Sequence, residues 1–496
     1  MKTNSKHPDW AIAHRKPGTE LKNINGRYYL YEVKSVYDKT MGRSKKISMG
    51  ILGSITQENG FIPSPKKELR AKADKSYRSK EIFALEYGFA NWLVRSFENS
   101  GCLEELKLHF PTHWQFIIIM VYCRIAYKSP LKNIPFFTQQ SDIANILDYQ
   151  QTLNEQTVGR MLFELGSMQS SIHNFLKPKN LIRKTVLMDA TDIVLQSNGI
   201  ALSQKGYNSD MNFQPQFVLL YMYDASTTEP LYYRLLPGNI REISAMQNTI
   251  KLSGLEQCVY IADKGFFSES NVTELERMNM QFIIPLKRDN QLIPYNLLEG
   301  IEQTDNYFQF ANRFVFYAVP TKSNTRNINL YLDGKLKEQE KSDYLSRIVT
   351  VPENYSKPMF NQKVKAMGTL AIMHNTELSP QEIYFEYKNR GEIEQFFDHL
   401  KNTLDASTSH MQREESLNGW MFINHLSMKT IYSIYTTLKS TDLNKKQKLN
   451  HKYSINDVVE HLKSIRKIKF STNEYVLSEM NKSTKTLLDK IKISIT

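Results

Sequence analysis

The stretch Tyr387–Lys401, YKNRGEIEQFFDHLK, decides how the rest of the chain is read. At about 100° per residue, Tyr387, Arg390, Glu394 and Lys401 fall within about 60° of one another on one helix face. Ser379, Pro380 and Glu382 supply a start signal: an N-cap, a proline in the first turn and a capping-box acid. Ile393, Phe396, Phe397, Leu400 and Leu404 occupy a separate arc suited to a core. One helix therefore buries one face and presents a carboxylate between cations on another, which suits a metal-binding acid set against a phosphate backbone. Of the neighbouring acids, Glu392 faces away, whereas Asp398 shares the face one turn beyond Glu394.

Two further acids stand where buried strands end. VLMDATD puts Asp189 after the apolar run Thr185–Met188, and CVYIADKGF puts Asp263 directly after Cys258–Ala262. Catalytic groups of α/β sheets are commonly displayed at such strand mouths. Residues 185–195, 216–224 and 230–236 read as strands, followed by a helix from Glu242 to Leu252, the strand before Asp263, a helix around Ser268–Met278 and a strand at Gln281–Leu286. Asp263 and Glu394 lie 131 positions apart, more than one helix-strand unit needs. The runs NYFQF, RFVFYAV, INLYL and TLAIM between them predict a β-rich insertion at 291–374.

The spacing Tyr-x2-Arg-x3-Glu-x6-Lys, together with the two strand acids, resembles the signature of DDE transposases from bacterial insertion sequences. The resemblance implies an α/β fold: an RNase H-like mixed sheet flanked by helices and interrupted by the insertion, with helical N-terminal and C-terminal regions. It implies that Asp189, Asp263 and Glu394 are the catalytic carboxylates and hold two Mg²⁺ ions, with Mn²⁺ able to substitute, for cleavage and strand transfer at the inverted repeats of a mobile element. Tyr387, Arg390 and Lys401 would lie along the DNA backbone near the cleaved end, and the insertion would add contacts there. Partners implied are double-stranded DNA, both inverted repeats and target, and a second copy in a paired-end homodimer, in a bacterial cytoplasm and at the nucleoid. GYNSDMNFQPQ (206–216) and PGNIREI (237–243) also look like family sequence.

Relatives can excise their element through a DNA hairpin, with a tryptophan of the insertion holding a flipped base. Here the tryptophans stand at 10, 92, 114 and 420, outside the insertion, and Gly391 stands where relatives often carry an aromatic residue. Phe308, Phe310, Phe314, Phe316, Tyr317 and Tyr331 are the available π-faces, about half of them expected in the core.

Charge is concentrated at the ends. Residues 1–80 carry 18 Lys and Arg against 7 Asp and Glu, and residues 439–496 carry 13 against 6, within a chain of net charge +13. Such ends suit counterion-releasing contacts to phosphate. The expected organisation is a basic region with short strands at 1–80, a helical DNA-binding domain at 81–180, a catalytic domain at 181–290 and 375–410, the insertion at 291–374, and a helical region at 411–496 that either packs as a bundle or forms a dimer contact. SDIANIL (141–147) and NEQTVGRMLFEL (154–165) have the length of a helix-turn-helix. WQFIIIMVYC (114–123) is too short to span a bilayer and reads as a core helix. The N-terminus lacks a signal-peptide apolar segment, Cys102, Cys123 and Cys258 read as reduced core residues, and no phosphate-binding glycine loop supports ATP use. Two alternatives share parts of the pattern: a DNA-binding protein that has lost catalysis, and an RNase H-like nuclease without strand transfer.

Overall fold

The computed structural model describes residues 6–38, 42–64, 83–178, 185–197, 199–206, 213–225, 227, 229–239, 242–255, 258–320, 326–444, 447–469 and 475–495. Parts of the two family-like segments, 207–212 and 240–241, lie outside them. The chain forms two compact units: Met1–Ala84 with Lys467–Leu477, and Leu85–Arg466 with Ser478–Thr496.

In the first unit, Thr19–Ile24, Arg27–Asp38, Arg43–Thr56 and Gly60–Pro63 form an antiparallel meander in sequence order. The aromatic and β-branched alternation of RYYLYEVK puts one residue in two on the core face. Leu21, Leu30 and Ile55 meet Ala11 there.

The second unit is built on a mixed sheet. Its main strands are β1 (Thr185–Leu195), β2 (Pro215–Asp224), β3 (Glu229–Pro237), β4 (Val259–Ile261), β5 (Gln281–Pro285), β6 (Tyr307–Phe310), β7 (Arg313–Ala318), β8 (Asn327–Asp333) and β9 (Thr369–His374). Their spatial order is β6-β7-β8-β9-β5-β4-β1-β2-β3. β1, β4 and β5 are parallel, and the other pairings are antiparallel. β2 is buried along nearly its whole length, which explains why FVLLYMY shows no period of two. The helices Glu242–Ser253 and Glu269–Arg277 stand between β3, β4 and β5, giving the order of elements expected over 185–286.

Two expectations need correction. Residues 291–374 are not purely β: α1 (Gly334–Thr350) and α2 (Lys357–Lys363) lie between β8 and β9. Nor do their strands stand apart, because β9 pairs with β5 and so continues the central sheet. β5 would otherwise present an open edge, and the apolar strand TLAIMH, mostly buried, covers it. Second, SDIANIL yields only one helical turn, Ile143–Ile146, so it makes no helix pair with Glu155–Ser167. The latter helix packs closely on Glu414–Ser440. Gly166 and Gly419 sit where a Cβ would meet the backbone carbonyls of Glu415 and Leu162, so two helix backbones touch directly. Of the two readings open for the apolar C-terminal helix, packing within the chain or a dimer contact, its buried residues Leu417, Phe422, Leu426, Ile431 and Leu438 fit the first. Among the described residues, no helix is long and apolar enough to cross a membrane.

Candidate active site

β4 ends early. Its last residue, Ile261, lies beside Leu187 of β1, whereas β1 runs on to Leu195. The vacated lane is filled again only where Thr408 and Ser409 pair with Val194 and Leu195. Asp189 stands on β1 opposite this gap and in register with Tyr221 of β2, so the acid lies within a strand whose neighbour stops short. Asp263 lies two residues beyond β4, at the position preceding a short 3-10 turn, Lys264–Phe266. The gap brings both aspartates to one place.

The third element departs from a single straight helix. α3 (Pro380–Lys388) starts on the predicted Ser379–Glu382 capping box. It then tightens: Arg390, Glu392 and Ile393 donate their N–H groups to the carbonyls of Tyr387, Asn389 and Arg390, three residues back. α4 (Gly391–Asp398) follows, and His399–Thr403 widens into a π-turn. Gly391, a poor helix former, sits at the joint. The core arc behaves as its spacing predicts, for Ile393, Phe396, Phe397, Leu400 and Leu404 are all buried. Phe396 packs on Tyr221 with ring centres 4.5 Å apart, and each such side chain contributes roughly 1.5–3 kcal/mol of burial.

Across the gap, the three carboxylates meet on one guanidinium. Arg390 reaches Asp189 Oδ2 at 3.3 Å, Asp263 Oδ1 at 3.4 Å and Glu394 Oε1 at 3.0 Å. The arginine is 19% exposed, and Glu394 is 60% exposed. Burial works against the arginine's charge, yet the three acids hold its pKa above the ordinary value. Asp189 is pushed up by burial, with Arg390 and the Ala190 N–H pulling back; that N–H donates to Asp189 Oδ1 at 2.9 Å. Tyr387, half-buried, lies within the field of Arg390, Asp263 and Glu394, and burial raises its pKa.

The remaining sequence candidates separate. Lys401 sits on the π-turn and forms no ion pair among the described residues. Asp398 accepts from Asn402, and Glu392 pairs with Lys439, so neither joins the cluster. Of the aromatic candidates in the insertion, Phe308 and Tyr331 are buried, whereas Phe314 is 58% exposed. The sequence reading missed that Arg390 is the common partner of all three acids. Its signal was present, since an arginine four residues before an acid on one face is within ion-pair reach.

Three negative charges around one positive charge leave an excess of two, which fits a divalent cation. Among the described residues no three His, Cys, Asp or Glu side chains are drawn together closely enough to hold a metal unaided, which agrees with the acids being spread around the guanidinium. Asp189, Asp263 and Glu394 are the residues that would hold one.

The profile of the transposase DDE domain family matches residues 181–428, half of the chain, which spans all three acids. Comparison with curated protein sequences gives no match. Among solved structures, a piggyBac transposase synaptic complex with hairpin DNA is similar at 10% identity and a TM-score of 0.36, over 70% of this chain and 69% of that one.

Proposed function

This chain belongs to the transposase DDE domain family, and from that premise we propose that it cuts and rejoins DNA at the terminal inverted repeats of its own mobile element. The observation that carries the reading is the convergence of Asp189, Asp263 and Glu394 on Arg390. The order β3-β2-β1-β4-β5, antiparallel on one side of β1 and parallel on the other, supports an RNase H-like assignment for the catalytic sheet.

Enzymes of this family use divalent metal ions; the ion we assign here is Mg²⁺, two per site, replaceable by Mn²⁺. When bound, such ions activate an attacking water or 3′-hydroxyl and stabilise the leaving oxygen. Asp189, fixed on a paired strand, and Asp263, at a strand end, are the rigid ligands. Glu394, on an exposed helix face, is the adjustable one. Arg390 keeps the acids from repelling one another before DNA and metal arrive, then turns to the DNA phosphates with Tyr387 and Lys401. A planar fork, a phenolic donor and a point charge suit that contact. The basic N-terminal region adds sequence-independent affinity, and pairing of two ends calls for a homodimer.

The test is incubation of the protein with DNA carrying the inverted repeats that flank its gene, in Mg²⁺ and in EDTA. Metal-dependent nicking followed by joined products is expected. Nicking without joining would leave a nuclease, and binding without nicking would leave a DNA-binding protein.

A further inference from the structure

A second arginine lies in the opposite electrostatic situation. Arg124, in the helix Trp114–Tyr127, is 5% exposed. Its Nε donates to Asn424 Oδ1 at 2.9 Å, one Nη donates to the Asp405 backbone carbonyl at 3.4 Å, and its guanidinium lies 4.6 Å over the Trp420 ring. Among the described residues no carboxylate forms an ion pair with it. Burial pushes its pKa down to about 10, the Asp405 carboxylate opposing, so it remains charged at neutral pH. A buried charge without an ion-pair partner is costly, and one that faces a cavity lined mainly by cations is an anion site by its chemistry.

The cavity is there. It measures about 1160 Å³, and its wall adds Lys128, Lys132 and Arg413 to Arg124. None of those three forms an ion pair among the described residues; the cation Arg160, also on the wall, is paired with Glu164. Glu155 and Asp405 are the acids on the wall, so cations dominate. Trp420 and Phe163 supply aromatic faces, the latter with Arg413 at 5.5 Å. Thr408 and Ser409, which close the far end of the gap beside β1, line the same cavity. Five or six residues of β1 separate Asp189 from that end, about 17–20 Å at strand rise. The volume slightly exceeds the about 300–1,000 Å³ of ordinary ligand pockets, which gives room for a few nucleotides of one strand and too little for a duplex turn.

We propose that this cavity is a subsite for single-stranded DNA, taking a few nucleotides of the strand that leaves the carboxylate cluster, with phosphates on Arg124, Lys128, Lys132 and Arg413 and bases beside Trp420 and Phe163. A basic groove interleaved with aromatic faces is the chemistry that binds single strands without reading their sequence. The proposal rests on the transposase reading of the neighbouring site.

The test compares a blunt duplex of about 20 base pairs with the same duplex carrying a single-stranded tail of about six nucleotides, a length within one such binding site. Both are titrated against the full chain and against Lys132→Gln/Arg413→Gln, two rim changes that leave the buried Arg124 in place. The wild-type chain binds the tailed DNA about tenfold tighter. In the variant that gain disappears, blunt affinity stays within about twofold, and the salt slope on tailed DNA falls by about 0.7 for each phosphate that the missing cations no longer neutralise. A wild-type chain indifferent to the tail, or a variant that keeps the gain, overturns the subsite and leaves the catalytic reading standing. A wild-type chain that binds neither DNA overturns both.

Discussion

Arg390 and Arg124 are both largely buried, and they sit in contrary fields. Arg390 touches three carboxylates, whereas Arg124 pairs with none. Where acids outnumber the guanidinium, the local charge is negative and the place calls for another cation. Where the guanidinium forms no ion pair and cations outnumber acids on the cavity wall, the place calls for an anion. A polynucleotide held against a metal needs both, and here they face opposite ends of one interrupted strand lane.

The contrast is broken most directly at the acids. Asp189→Asn, Asp263→Asn and Glu394→Gln keep volume and remove charge, so each should lower metal-dependent nicking by about 10³-fold, roughly 4 kcal/mol of barrier, with end binding unchanged. Gel assays on the inverted-repeat DNA read this. Near-normal cutting by any one variant removes that residue from the cluster's function, and Asp398→Asn, cutting normally, is the matched control.

Arg390→Met comes next. In metal-free buffer it leaves three acids facing one another, so the melting temperature should drop by several degrees, and Mg²⁺ should recover most of the loss. Mn²⁺ affinity measured by electron paramagnetic resonance should rise several-fold, because the competing cation is gone. Unchanged Mn²⁺ affinity would mean that Arg390 does not occupy the ion's place. Arg124→Met should behave in the contrary way. It removes a buried charge that forms no ion pair but leaves the buried Asn424 Oδ1 without its donor, so the two effects offset and stability should stay within about 1 kcal/mol, while the advantage of tailed DNA disappears. A large drop in stability would make Arg124 a structural strut. The smallest effect belongs to the joint beside Arg390. A Cβ on Gly391 meets no atom within 4 Å, so Gly391→Ala should stabilise the fold by about 0.5–1 kcal/mol, seen by denaturant titration, without altering Mn²⁺ affinity.

What the sequence discloses follows from which interactions are local. The buried face of Ile393, Phe396, Phe397, Leu400 and Leu404 is legible because a period of 3.6 survives a bend in the helix. Asp189 and Asp263 are legible because buried strands read as near-continuous apolar runs and an acid at the end of such a run is conspicuous, although Asp189 proves to lie inside its strand, which continues to Leu195. The pairing of Arg390 with Glu394 is legible as a local spacing, but its contacts with Asp189 and Asp263 are not, since they join residues some 200 and 130 positions apart. Lys401 lies within the π-turn, where a uniform helical wheel no longer gives its angle, and forms no ion pair with the three acids among the described residues. The continuation of the sheet through β9 depends on pairing between residues some ninety positions apart, which no local pattern encodes. The cavity around Arg124 is assembled from three stretches, near 124–132, 155–163 and 405–420, each unremarkable by itself.

The early end of β4 has one more consequence, in the exchange of a single amide hydrogen. Beyond Leu187 the lane beside β1 holds no strand until Thr408, and the Ala190 N–H is bonded to the carboxylate of Asp189. That proton is therefore sheltered by a side chain whose other oxygen faces Arg390. Any event that draws the carboxylate away exposes the amide to solvent, so its exchange rate, followed by nuclear magnetic resonance, becomes a clock for the state of the whole site.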